Sequence, residues 1–212
     1  MRNPIHAQTE SVKKMTAIGQ RLLLIALLCF ITPLTHASEW QLADLMQALH
    51  ERGARQARFS ETRTLAILDQ PIEQTGLLIF EPPDRLLRRL DPPSTLSAEI
   101  EGNQLTLWQG EERKQTLLLD NVPELLAFSA SFRAILAGDT DTLEHYFEAH
   151  LKGGEKAWTL TLIPKQSGFA ARIARIVIEG QGAEINRYTT LETSGDQTLT
   201  RLRPLTPAPE TD

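Results

Sequence analysis

The side chains able to do chemistry are few, and their spacing suits little chemistry. His145 and His150 stand five residues apart across an expected helix-to-strand boundary, with no third ligand at metal spacing; His50 is remote in sequence. "GDTDT", Gly138 to Thr142, spaces Asp139 and Asp141 like the first ligands of a calcium loop. Leu143 occupies the third ligand position, however, and neither a glycine nor a closing glutamate follows at loop spacing, so helix capping is the simpler use. Ser194 sits in "TSGD", which is turn chemistry, and no G-x-S-x-G occurs. Glu99 and Glu101 are one strand period apart and are expected to face solvent together. No glycine-rich phosphate loop joins a strand to a helix. The expectation is a protein that is not an enzyme, with no catalytic residues, no metal site and no cofactor.

The arginines of "GLLIFEPPDRLLRRLDPP", Gly76 to Pro93, are the remaining polar signal. By alternation Leu86, Arg88 and Leu90 share one face of a strand, while Arg85, Leu87 and Arg89 share the other. If the first set faces inward, Arg88 is a charge among apolar side chains. An uncompensated charge in a dry interior costs several kcal/mol, so it must find a partner. Helix C-terminal carbonyls or a ligand head group would serve; alternatively Arg88 snorkels to a rim and binds nothing special.

The elements that must position these residues follow from hydrophobic period. Leu42, Leu45, Met46 and Leu49 fall at i, i+3, i+4 and i+7, an amphipathic helix with Gly53 as its stop. The period then changes to two through "ARFSETRTLAIL", "GLLIF", "RLLRRL", "TLSAEIEGNQLTLWQG" and "ERKQTLLLD", a meander of about six strands. Asp120 or Asn121 caps a helix with Pro123 in its first turn and Leu125, Phe128, Phe132, Ile135 and Leu136 on one stripe; Gly138 ends it. A second short helix starts in "DTDTLEHYF", where Asp141 and Glu144 have capping-box spacing. Strands resume with "FEAHLKGGEKAWTLTLIP" and continue through three more joined at "GQG" and "SGD". The predicted class is α+β: a single strongly curved antiparallel sheet of about ten or eleven strands, an incomplete barrel closed by a few helices.

The chain's start is expected to lie outside that domain. Lys13, Lys14 and Arg21 precede "LLLIALLCFI", Leu22 to Ile31, and small residues stand before Ser38, the pattern of a cleavable secretory signal over residues 1–37. Its apolar core is too short to span a bilayer, and translation from Met15 would give a more ordinary leader. The one cysteine, Cys29, lies in that core, so a processed chain has no disulfide and no thiol nucleophile. From Ser38 onward 18 Lys and Arg oppose 26 Asp and Glu, a net charge of −8, which makes nucleic acid a poor partner. A disulfide-free secreted chain fits the bacterial periplasm. The domain is expected over 38–203, and the proline-rich 204–212 reads as a disordered tail.

The order of helix, "RFSETR", "EPPDRLLRR", "FRAILAGD" and "AWTLTLIP" resembles the LolA-like periplasmic lipoprotein carriers, and more closely the LolA-related branch associated with glycolipid or aryl-polyene export. The resemblance runs from about Trp40 to Leu202; "EPPDRLLRR" and "ILAGD" are its most specific pieces. It implies an incomplete barrel closed by helices, whose hydrophobic cavity receives acyl chains at the inner membrane and carries them across the periplasm. In LolA an arginine just before the proline after the second strand holds the helical lid. Pro82 stands at the matching position here, so Arg88 is the candidate replacement, as a latch or a head-group contact.

The expected lipid-binding cavity comprises Phe59, Leu78, Phe80, Leu86, Arg88, Leu105, Leu107, Phe128, Phe132, Trp158, Leu160 and Leu162. Burying an acyl chain gains about 0.8 kcal/mol per methylene, so such walls hold cargo without directed chemistry. The reading is a monomeric carrier of lipoproteins or lipids, served by an inner-membrane exporter and an outer-membrane acceptor, with no transmembrane segment after signal cleavage. Two alternatives stand beside it: a non-catalytic accessory subunit of an envelope lipid-export complex, and an enzyme acting on acyl groups inside the same barrel. A cavity of several hundred cubic ångströms separates the carrier from the solid scaffold.

Overall fold

The computed structural model describes residues 40–121, 129 and 132–205, without the side chains of 113 and 114. The expected signal segment 1–37, Leu125 and Phe128 lie outside the described residues. Helix α1 (Leu42–Arg52) opens the domain and ends at Gly53, whose φ of 64° lets the chain turn into the sheet. Six strands follow: β1 (Arg55–Thr64), β2 (Ile72–Glu81), β3 (Arg85–Leu90), β4 (Leu96–Glu101), β5 (Gln104–Gln109) and β6 (Glu112–Leu118). A 3-10 turn at Leu119–Asn121 holds the residues expected to cap the next helix. Helix α2 is described over residues 132–137, and α3 (Thr140–Tyr146) leads into β7 (Phe147–Gly154) and β8 (Ala157–Pro164). After a one-turn helix α4 (Ser167–Ala170), which period alone does not foretell, β9 (Ile173–Gln181), β10 (Glu184–Glu192) and β11 (Gln197–Pro204) complete the domain.

All the strands form one 11-stranded sheet in the order β6-β5-β4-β3-β2-β1-β11-β10-β9-β8-β7. Every neighbouring pair is antiparallel, and among the described residues β6 and β7 remain as unpaired edges, so the barrel is incomplete. Two meanders are thus joined where the first strand pairs with the last. Pro82-Pro83 and Pro92-Pro93 lie in the β2–β3 and β3–β4 connections, where no ladder needs their missing N–H groups. β11 runs to Pro204, the first residue of the expected tail, and just beyond it the Leu205 N–H donates to the Gln56 carbonyl at 2.8 Å.

Register fixes one concave face. Phe59 stands opposite Gly76 and Leu202, Leu78 opposite Arg88, Phe80 opposite Leu86, and Ala98 and Ile100 opposite Leu107 and Leu105. A Cβ on Gly76 would lie 2.6 Å from the Phe59 ring and 2.1 Å from the Arg89 carbonyl oxygen, so the ring rests on bare backbone. In the other half Trp158, Leu160 and Leu162 of β8 and Ile176 and Ile178 of β9 meet Leu45, Met46 and Leu49 of α1, all at most 3% exposed. That half is a filled core.

The end of α2 explains "ILAGD". The Asp139 N–H donates to the Ala134 carbonyl at 2.8 Å and the Gly138 N–H to that of Ile135 at 3.3 Å, the paired bonds of a glycine-terminated helix. The Asp139 carboxylate then caps α3, accepting from the Thr142 N–H at 3.0 Å, and its bonds to Thr142 hold it below the usual carboxylate range. The cap is therefore Asp139, two residues before the Asp141–Glu144 pair expected from spacing. Gly138 has φ 71°, and a Cβ there would stand 2.2 Å from the Met46 carbonyl oxygen of α1. Gly138→Ala is expected to cost at least about 2 kcal/mol from left-handed strain plus overpacking. Urea unfolding measures it, and an unchanged midpoint would contradict the close α1–α2 contact.

Candidate lipid-binding site

A cavity of about 800 Å³ opens at the end of the sheet where β1 begins and β2 and β11 finish. Its walls are Ala57, Leu78, Phe80, Ile185, Leu202 and Leu136, with Pro204 and Leu205 beside them. Alternation produces this wall, because Ala57, Leu78, Phe80 and Leu202 all occupy inward registers of adjacent strands. The rim is charged: Arg52, Arg55, Glu81 and Glu184. Arg52 pairs with Glu184 at 3.1 Å and Glu81 with Arg85 at 2.5 Å. An apolar cleft with a few polar groups at one end, in the usual ligand size range, is suited to an amphiphile. A second hollow of about 400 Å³, bordered by Lys152, Thr159, Glu179, Asn186 and Arg187, is smaller and offers charged groups rather than an aliphatic wall.

Arg55 organises the helical cover. Its Nη2 donates to the carbonyl oxygens of Leu49 at 2.6 Å and Leu136 at 2.8 Å, and its Nε to that of Gly53 at 3.2 Å. One side chain of β1 thereby ties the C-terminal turns of α1 and α2 to the sheet, at the negative ends of both helix dipoles. Burial, with the Arg52 charge nearby, pushes its pKa down to about 10, so it remains a cation at neutral pH. Arg133 of α2 makes a second tie, donating to the Gly102 carbonyl in the β4–β5 turn at 2.6 Å.

The structure places Arg88 on the concave face, as alternation requires, but its partner is in the sheet. Its Nη2 lies 2.8 Å from Glu61 Oε1, and its guanidinium stands over the Phe59 ring at 4.6 Å. Glu61 also accepts from the Thr200 hydroxyl at 3.0 Å, and Thr200 bonds Tyr188, whose hydroxyl burial pushes up in pKa. The helix carbonyls offered as one solution for Arg88 are thus taken by Arg55. Sequence reading missed Arg55, although the argument that turned Arg88 inward applies to it: Arg55, Ala57 and Phe59 alternate onto one face. Arg88→Leu is expected to cost about 2 kcal/mol by stranding the half-buried Glu61, whereas exposed Arg89→Leu stays within about 0.5 kcal/mol. Equal thermal shifts in the two variants would remove the Glu61 pair as the reason.

Of the twelve expected cavity residues, Leu78 and Phe80 line the 800 Å³ space. Phe59, Leu86, Leu105 and Leu107 extend the same concave face along β1, β3 and β5. Trp158, Leu160 and Leu162 lie in the filled core beneath the helices, and Phe132 packs edge-on against Tyr188 at 5.0 Å.

Residues 35–206 match the family model described as outer membrane lipoprotein carrier protein LolA-like. The chain belongs to that family. The export-linked branch suggested by the sequence motifs is a finer assignment, for which the match gives no ground. Among solved structures, this LolA-like chain is similar to a LolA superfamily protein from Nitrosomonas europaea, with 9% identity over 78% of this chain and 96% of that one and a TM-score of 0.42. A putative outer membrane lipoprotein-sorting protein domain from Vibrio parahaemolyticus shares 12% identity over 80% and 96% of the respective chains, with a TM-score of 0.38. The MucA/MucB complex of Pseudomonas aeruginosa gives 12% identity over 80% of this chain and 58% of that one, with a TM-score of 0.41. No curated protein is significantly similar. The LolA-like fold suggests lipid or lipoprotein binding, and among the described residues no helix is long and apolar enough to cross a membrane.

Proposed function

We propose that this LolA-like protein is a non-catalytic periplasmic carrier that binds the acyl chains of lipoproteins or lipids and ferries them towards the outer membrane. The observation that carries the reading is the 800 Å³ cavity with an aliphatic and aromatic wall, set in an incomplete barrel whose other half is already filled by helices. A solid scaffold would have no such space. In this reading a signal sequence over 1–37 delivers the chain to the periplasm, and the domain from 38 acts as a monomer between an inner-membrane exporter and an outer-membrane acceptor. The cavity proper is Leu78 and Phe80 with Ala57, Ile185 and Leu202. Phe59, Leu86, Arg88, Leu105 and Leu107 continue its wall.

The test is purification from the periplasm followed by lipid extraction and mass spectrometry, with titration of a fluorescent fatty acid. Stoichiometric acyl cargo, or saturable probe binding, is the expected result. A protein that stays lipid-free and leaves the probe unbound defeats the carrier reading.

One observation favours the accessory-subunit alternative. The β1–β2 connection carries Ile67 at 88% exposure with Leu68 also exposed, and Ile72 at the start of β2 is exposed too, which is apolar surface of the kind found at docking contacts.

A further inference from the structure

The charges around the cavity do not balance where its wall turns polar. Arg52 has Glu184, and Glu81 is engaged by Arg85. Arg55 has no carboxylate within ion-pair distance among the described residues. Its bonds to Leu49, Gly53 and Leu136 are all to neutral carbonyls. Its Nη1 is buried and has no hydrogen-bond partner among the described residues. The nearest like charge, Arg52, makes matters worse, since the two guanidinium groups repel. A half-buried cation bonded only to dipoles, with the donors of its buried Nη1 unused, sits in a deficit that an anionic acceptor would reduce. The surface leading away from it is apolar: the Phe80 ring centroid lies 5.8 Å from Arg55 Cζ, and Leu78, Ala57 and Leu202 follow.

We infer that the Arg55 end of the cavity is an anion subsite, and that the preferred cargo is an acyl amphiphile with one carboxylate or phosphate group beside the chain. This rests on the carrier reading and narrows it. The anion seats against Arg55, while the hydrocarbon lies on Leu78 and Phe80. The same acceptor would compete with the Leu49 and Leu136 carbonyls for Arg55, so head-group binding and release of the helix ends draw on one guanidinium.

The experiment is displacement of a neutral fluorescent acyl probe from the delipidated protein by hexadecanol, hexadecanoate and hexadecyl phosphate, three ligands with the same chain. At least one of the two anions is expected to bind tenfold or more tighter than the alcohol, and the tighter one names the source, fatty acid or phosphate ester. Arg55→Gln is expected to bring the preference below threefold, Arg55→Lys to keep most of it, and Arg89→Gln to leave it unchanged. The comparison on the unsubstituted protein stands even if Arg55→Gln fails to fold. Equal binding of all three ligands overturns the anion subsite and leaves the carrier intact. Failure of every ligand and of the probe overturns the carrier reading itself.

Discussion

Arg55→Met is expected to lower the free energy of unfolding by about 2–3 kcal/mol and to loosen the ends of two helices together. The three bonds from the guanidinium go to carbonyls that have no helical partner, and a bond to a charged group contributes about 1.5–3 kcal/mol. Against that stands the cost of burying a cation, several kcal/mol, which the methionine removes. The net loss is the smaller remainder, equivalent to a fall of about 5–10 °C in Tm for a domain of this size. Stability alone would not identify the tie. Hydrogen exchange does: amides at the C-terminal turn of α1 and in residues 132–138 should lose protection together, while those of the β8–β9 ladder change only with global stability. Unchanged protection at the helix ends would mean that Arg55 is a packed side chain and no more. Arg88→Leu, which strands Glu61 inside the sheet, should leave the helix ends as they are.

The contrast between these arginines shows what the sequence discloses and what it withholds. Hydrophobic period placed α1, the six-strand meander and the inward face of β3, because alternation and the 3.6-residue repeat are local properties. The concave register of Phe59, Leu78, Phe80 and Leu86 was legible for the same reason. The partner of Arg88 was not. Glu61 lies 27 residues away, and only the pairing of β1 with β2 and β2 with β3 brings it within 2.8 Å. Arg55 went unnoticed because the guide used was an absence, Pro82 at the expected latch position; nothing local says that the helix carbonyls are then served from the start of β1. The division of the concave face was equally hidden. Trp158, Leu160 and Leu162 have the same period and composition as Leu78 and Phe80, and which half the helices fill depends on where β1 and β11 join the two meanders. The short α4 after Pro164 left no periodic trace, since four residues make barely one turn.

That division can be tested by one substitution in each half. Ala57 is a small side chain on the inner face, between Arg55 and Phe59 along β1 and opposite Leu78 and Pro204 in the neighbouring strands. Ala57→Trp directs an indole into the 800 Å³ space, where no packed neighbour must be displaced. It is expected to weaken acyl-probe binding at least tenfold while changing stability by no more than about 1 kcal/mol, less than overpacking costs in a closed core. Leu160→Ala is the counterpart. Leu160 is fully buried among α1 and β9 side chains, so its truncation should cost about 2–5 kcal/mol and leave the affinity of the folded protein within threefold. Probe titration at a temperature where both variants are folded, with urea unfolding alongside, separates the two effects. Ala57→Trp with undiminished binding would move the cargo site elsewhere on the concave face, along Leu86, Leu105 and Leu107. A large affinity loss in Leu160→Ala would mean that the helix-covered half opens to admit the chain, and that the filled core is a resting state of the carrier.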